Sequence, residues 1–253
     1  MRSSRSIELQ TLDISDDEIR RLEDELLHQV EMFSLPLERS QARLCLLHLL
    51  YVLQVNTYIN LTRIDDVDEA LTLHILDSLL FSKGVEERGM KFLDMGTGAG
   101  FPGIPFHILT GMPGVLLDSV GKKIAFDSAV IHGLRLDGLE AVHDRVELYA
   151  GNCPSFDVVL ARALASLPVL IEYASPFLGK GGQLVISKGN LEFDERERGN
   201  RAALLCGFEL RKSLSFDLPG GCGHREILTY VRVKEASVKL PRPAGTAKRN
   251  PLA

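Results

Sequence analysis

Polar and apolar positions change period along this chain. Ser15-Asp16-Asp17-Glu18 has the form of a capping box, with Ile19, Leu22, Leu26, Leu27 and Val30 following at helical spacing. An amphipathic helix is therefore predicted to run to about Phe33, with Ser34 and Pro36 ending it and starting the next. From Leu37, the residues Leu44, Leu46, Leu47, Leu50, Tyr51 and Leu53 form a wide helical stripe reaching Ile59. A third helix is predicted after Asp65-Asp66, continuing through Leu80. Residues 1 to about 85 thus read as a helical element packed against the remainder of the chain.

The pattern then switches to short apolar runs separated by helical stretches: Phe92 to Met95, Val115 to Asp118, Leu139 to His143, Phe156 to Ala161 and Gln183 to Ser187. Strands alternating with helices imply a mainly parallel sheet in an α/β domain covered on both faces, spanning residues 86–235. Phe208 to Phe216 and Glu226 to Val233 flank the turn-rich Asp217-Leu218-Pro219-Gly220-Gly221, which predicts a closing antiparallel pair. Residues 236–253, with Pro241, Pro243, Gly245 and Pro251, lack periodicity and read as an extended basic tail.

Composition narrows the class. With 45% hydrophobic and 25% charged residues in 253, the chain can bury a full core. Met1 to Gln10 has no apolar export region, and the richest apolar stretch, Leu44 to Val55, is broken by His48 and Gln54. A cytoplasmic protein without membrane association is expected. Cys45, Cys153, Cys206 and Cys222 lack metal or disulfide spacing, and the histidines lack ligand spacing, so no metal is expected. The net charge is −5, but the stretch from Lys234 to Ala253 carries +4 and leaves −9 elsewhere. Any contact with nucleic acid must therefore be local.

The sharpest chemical signal is Phe92-Leu93-Asp94-Met95-Gly96-Thr97-Gly98-Ala99-Gly100-Phe101-Pro102-Gly103, a buried strand entering a glycine-rich turn. Gly98, Gly100 and Gly103 satisfy the dinucleotide fingerprint, which alone is weak evidence for any cofactor. Asp94, just before the glycines, would repel a pyrophosphate but favour the ammonium of a methionine moiety. The turn in Leu178-Gly179-Lys180-Gly181-Gly182-Gln183-Leu184 resembles the one before the fifth strand of Rossmann-like class I methyltransferases. Asp118, ending the second strand 20 residues after Gly98, is placed to accept bonds from ribose hydroxyls in either cofactor class.

Several stretches in order resemble one family, the bacterial 16S ribosomal RNA guanine-N7 methyltransferases, also called glucose-inhibited division protein B. They are Asn60-Leu61-Thr62, His74-Ile75-Leu76-Asp77-Ser78-Leu79, the Asp94 to Pro105 loop, Leu117-Asp118-Ser119 with Gly121-Lys122-Lys123, Arg162-Ala163 with Ala165-Ser166-Leu167, Lys188-Gly189, and Pro241 to Thr246 with Pro251-Leu252. Departures are mild: Leu73 stands where a basic residue is common, and Ala161 where serine often precedes the arginine. The resemblance implies S-adenosyl-L-methionine as cofactor, with contacts at Gly96, Phe101, Val146, Glu147 and Arg162 and with Asp118 as ribose partner; Gly98 and Asp94 are expected beside them from their place in the glycine loop. It also implies 16S ribosomal RNA or the small ribosomal subunit as partner; a monomer is expected.

The acceptor chemistry fits. The place of the N/D-P-P-Y/F motif of amino-methylating enzymes holds Ala161-Arg162-Ala163, and Asn152-Cys153-Pro154-Ser155-Phe156 is an echo lying before the strand. Cys153 has no neighbouring base and is given no catalytic role. Guanine N7 exposes a lone pair, so no obligatory general base is expected, and His74 is read as structural. Lys122, Lys123, Arg162, Lys188 and the basic tail are the candidates for RNA contacts. A small-molecule methyltransferase, a nicotinamide-dependent oxidoreductase and a non-enzymatic RNA-binding protein remain as alternatives.

Overall fold

The computed structural model describes residues 7–86, 91–151 and 155–253. The echo motif at Asn152-Cys153-Pro154, with Cys153, lies outside the described residues, as do the first six residues. Helix α1 (Asp16–Met32) starts as the capping pattern predicts, with Ser15 Oγ accepting from the Glu18 N–H. It buries Ile19, Leu22, Leu26 and Val30. Helix α2 (Arg39–Asn56) lies against it, Arg39 and Arg43 both reaching the buried Glu23 carboxylate.

The predicted third helix is interrupted. α3 (Val67–Ala70) runs into a π-helical segment, Leu71–Leu76, then α4 (Asp77–Leu79) and, after Leu80, α5 (Phe81–Gly84). The carbonyls of Leu73 and His74 here accept side-chain bonds from Arg162 and Ser78, which helps hold the widened turn. Periodicity cannot foresee this, because the partner of the distortion lies in a distant strand.

One seven-stranded sheet has the order β3-β2-β1-β4-β5-β7-β6. Its strands are β1 (Phe92–Met95), β2 (Gly114–Asp118), β3 (Leu139–His143), β4 (Phe156–Arg162), β5 (Leu178–Lys188), β6 (Phe208–Asp217) and β7 (His224–Arg232). The first five are parallel; β7 pairs antiparallel with β5 and β6. The glycine turn expected before the fifth strand lies within β5, where the register with β4 shifts between Phe156↔Leu178 and Val158↔Gln183.

Strand alternation divides the interior into two cores. Phe92, Leu116, Val158, Leu160, Val185 and Ile227 face a layer of α1, α2, the interrupted third helix, α6 (Gly103–Thr110) and α7 (Gly121–Gly133). Leu93, Val115, Leu117, Val159, Leu184 and Leu228 face α8 (Val146–Tyr149), α9 (Leu167–Ala174) and α10 (Phe193–Cys206). The N-terminal helical element is therefore the cover of one sheet face. Each fully buried leucine there contributes roughly 1.5–3 kcal/mol relative to exposure.

The C-terminal tail departs from the extended arm expected of it. Much of it has no regular structure, yet it includes α11 (Thr246–Arg249), buries Ala247 in the second core and ends with Arg198 Nε donating to the Ala253 carbonyl.

Candidate active site

The glycine loop leaves β1 with Gly96, Gly98 and Gly100 at φ of 81°, 69° and 83°, backbone that side chains rarely adopt. The N–H groups of Gly96 and Thr97 donate to the Leu117 carbonyl, which ties the loop to β2. Asp118 completes the tie: Oδ2 accepts from Gly98 N–H at 3.0 Å and Oδ1 from Val120 N–H at 2.8 Å. A carboxylate offers about four lone-pair directions, so acceptor capacity remains for ribose hydroxyls. Two glycines of the fingerprint do different work. A Cβ at Gly103 would stand 2.3 Å from Leu116 and 2.7 Å from Asp94 Oδ2, so this glycine is a packing requirement. A Cβ at Gly98 would meet nothing nearer than Lys123 Nζ at 3.9 Å, so the loop is open on that side.

Asp94 is fully buried behind the loop, where Oδ2 accepts from the Gly103 N–H at 2.8 Å and so supports the loop. Burial pushes its carboxyl up to about 6, opposed by the Thr97 side chain, the Gly103 N–H and the Arg162 charge. Nearby Asp127 on α7 is also fully buried, and neither carboxylate oxygen has a hydrogen-bond partner among the described residues. Burial, then the charges of Asp94 and Asp118, drive its carboxyl well above the usual range. Replacing Asp127 with leucine is expected to stabilise the fold by about 1–3 kcal/mol, the usual cost of an unsatisfied buried polar group. The advantage should grow as pH rises above about 4, because the unfolded chain then ionises Asp127 while the folded chain holds its proton. Urea unfolding at pH 4 and 7 measures this; a variant no more stable at pH 7 would refute it.

On the other flank, Phe101 is enclosed by three groups. The His48 and His74 rings lie 4.5 and 4.7 Å from its ring, and the Arg162 guanidinium carbon lies 5.5 Å away. His48 Nε2 bonds the Ala99 carbonyl at 2.8 Å and His74 Nε2 bonds Thr62 Oγ1 at 2.7 Å. Burial lowers both imidazoles to about 3, so both are neutral near pH 7. Arg162 donates at 3.1 Å to both the Leu73 carbonyl and Asp77 Oδ2. Asp77 is itself buried, takes Arg225 Nε at 3.1 Å on the same oxygen, and accepts from Ser187 Oγ at 3.2 Å on the other. His48, Asp77, Ser187 and Arg225 are site neighbours that sequence reasoning did not single out for roles. Asp77 lies in the family-like stretch His74 to Leu79, whereas nothing local marks Arg225.

Val146 and Glu147 begin α8 just beyond β3, whose His143 pairs with Asp118. Val146 is buried in the second core. Glu147 Oε1 accepts from Gly245 N–H at 2.8 Å and Tyr173 OH at 3.2 Å. Burial would raise its carboxyl; those bonds and its own backbone N–H outweigh it and leave it below the usual range. Gly96, Asp118, Val146 with Glu147, and Arg162 thus sit at or just beyond the C-terminal ends of β1, β2, β3 and β4, where open parallel sheets hold ligands.

The basic candidates divide. Lys122 is exposed and Lys123 half-buried beside Gly98. Lys188 is committed to Glu195 and the Ala165 carbonyl, and Arg242 to Glu172, so these are structural ion pairs. Among the described residues no cluster of three or more His, Cys, Asp or Glu is placed to hold a metal. No helix among them is long and apolar enough to cross a membrane.

Residues 42–221 match the family model GidB, described as rRNA small subunit methyltransferase G. The chain is 38% identical over 213 residues to ribosomal RNA small subunit methyltransferase G of Lactobacillus helveticus, covering 81% of this chain and 89% of that one. The Lactobacillus acidophilus protein of the same name is 35% identical, covering 90% and 98%. Among solved structures, geranyl diphosphate C-methyltransferase from Streptomyces coelicolor A3(2), in complex with Mg2+, geranyl diphosphate and S-adenosyl-L-homocysteine, superposes with a TM-score of 0.52. It covers 62% of this chain and 79% of that one at 13% identity, a likeness of fold alone.

Proposed function

Because this chain belongs to the GidB family, rRNA small subunit methyltransferase G, we propose that it methylates N7 of a guanine in 16S ribosomal RNA with S-adenosyl-L-methionine as donor. The observation that carries the cofactor assignment is the bare side of Gly98, held at positive φ and bonded to Asp118, a cradle that any side chain would fill. We assign the cofactor contacts to Gly96, Gly98, Phe101, Asp118, Val146, Glu147 and Arg162, with Asp94 acting through the loop it supports. The Asp94 carboxyl behind the glycine loop disfavours the pyrophosphate of a nicotinamide cofactor there, whereas Asp118 suits either cofactor class.

The cofactor, when bound, supplies an electrophilic sulfonium methyl group. Guanine N7 carries an available lone pair, so the protein's task is to align acceptor and donor and exclude water. No proton must leave the acceptor atom first. The two histidines next to Phe101 are already neutral and lose no proton near pH 7. The turnover rate at saturating substrates is therefore expected to stay within about twofold between roughly pH 6.5 and 8.5. A tenfold rise across that window would establish a general base and overturn this account.

We further infer a monomeric, cytoplasmic enzyme; the names of its relatives support its action on the RNA of the small ribosomal subunit. The deciding experiment incubates the protein and labelled S-adenosyl-L-methionine with 16S RNA or small subunits from a strain lacking the gene, then maps label by mass spectrometry. Label on N7 of one guanine is the expected result. Cofactor binding without RNA labelling would favour a small-molecule acceptor.

A further inference from the structure

The Val146–Glu147 turn follows β3, the strand next to the ribose partner Asp118, and so lies on the adenosine side of the proposed cofactor site, yet it is poorly supported by its own elements. β3 is an edge strand of the sheet and no residue of it is fully buried. α8 is a single turn of four residues, too short to be stable by its own hydrogen bonds. Its position must come from tertiary contacts, and the C-terminal tail supplies several of them. Arg242 lays a bidentate guanidinium on Glu172 of α9, with Nε to Oε1 at 2.7 Å and Nη2 to Oε2 at 2.5 Å. Glu172 is almost completely buried, and Arg242 Nη2 also holds the Asn250 carbonyl, closing the tail on itself. That anchor brings the Gly245 N–H to Glu147 on α8, where Tyr173, the residue after Glu172, donates to the same oxygen. Pro241, Arg242 and Ala247 line the seam with Val146, Glu147 and Ala150.

We propose that the C-terminal tail, anchored by Arg242 on Glu172, positions the Val146–Glu147 turn for the adenosine half of the cofactor. Arg242 is a positioning residue: it acts through the tail and Gly245 on Glu147. The inference rests on the cofactor reading above. Its consequence is specific, since a loosened tail leaves the glycine loop, held by Asp118 and Asp94, as it was. Affinity should then fall for ligands that carry adenosine, whether or not they carry the methionine part.

Calorimetric titration of the full chain with S-adenosyl-L-methionine and with 5′-methylthioadenosine, which lacks the amino-acid end, tests it. Arg242→Glu is expected to weaken both ligands by a similar factor of about tenfold or more, as one lost anchor allows. The double variant Arg242→Glu with Glu172→Arg restores the pair and should recover most of that loss, which separates positioning from damage to the fold. Equal affinity of native and Arg242→Glu proteins for both ligands overturns the proposal. So does a loss confined to S-adenosyl-L-methionine, or one that the double variant fails to recover. A native chain that binds neither ligand overturns the functional reading, and this inference with it.

Discussion

Replacing Gly98 with valine is expected to raise the dissociation constant for S-adenosyl-L-methionine at least about a hundredfold while leaving a folded protein. The position has φ of 69°, so a β-branched residue there carries strain of about 1–3 kcal/mol. The surroundings add no clash, because an ideal Cβ finds its nearest neighbour at 3.9 Å, the flexible end of Lys123. The added atoms would instead occupy the open side of the loop, the space given to the cofactor. They would also disturb the Gly98 N–H bond that orients Asp118 toward the ribose. Calorimetry gives the affinity and thermal melting checks the fold. If the valine variant binds within threefold of the native protein, the open side of Gly98 does not face the cofactor.

Asp77→Ala should be the most destabilising single change around the site, costing about 3–5 kcal/mol. Its buried carboxylate is shared by Arg162 and Arg225, each at 3.1 Å, and it accepts from Ser187. Removing it leaves two partly buried guanidinium groups facing each other without a counter-charge. In a chain of this size a loss of that order corresponds to a fall in melting temperature of roughly 10 °C. Activity should fall as well, because Arg162 would no longer be held over Phe101. Asp77→Asn, which keeps the shape and the acceptor for Ser187, should fall between. An alanine variant melting within about 2 °C of the native protein would show that the two arginines find other partners at no cost.

Both predictions sit where local pattern and tertiary structure meet, and the chain itself marks how far each reaches. The short apolar runs Phe92 to Met95, Val115 to Asp118 and Phe156 to Ala161 specify buried strands, and capping at Ser15 specifies where α1 starts. The glycines of the loop announce positive φ because no other residue adopts it cheaply, so the position of the cofactor loop after β1 is legible in the sequence. Asp118 follows from its spacing to Gly98, and the structure joins the two by a hydrogen bond. These are properties of short stretches, encoded by period and by backbone sterics.

Other features depend on which elements the sheet order brings together. The π-helical segment that presents His74 and Asp77 is invisible in periodicity, and Asp77 meets Arg162 and Arg225 only because β4, β5 and β7 end side by side. The bond from the Gly103 N–H to Asp94, nine residues apart, likewise comes from the course of the loop and not from any periodicity. Arg242 and Lys188 read as free cations for RNA and are committed to Glu172 and Glu195. The tail, without periodicity of its own, takes its course from buried charges on α8 and α9. Sequence alone therefore determined the elements, the glycine loop and the family, because backbone preferences act over a few residues. Only the tertiary structure decided which carboxylate meets which arginine, because a side chain's charge carries no address and its partner is set by the packing of strands and helices far along the chain.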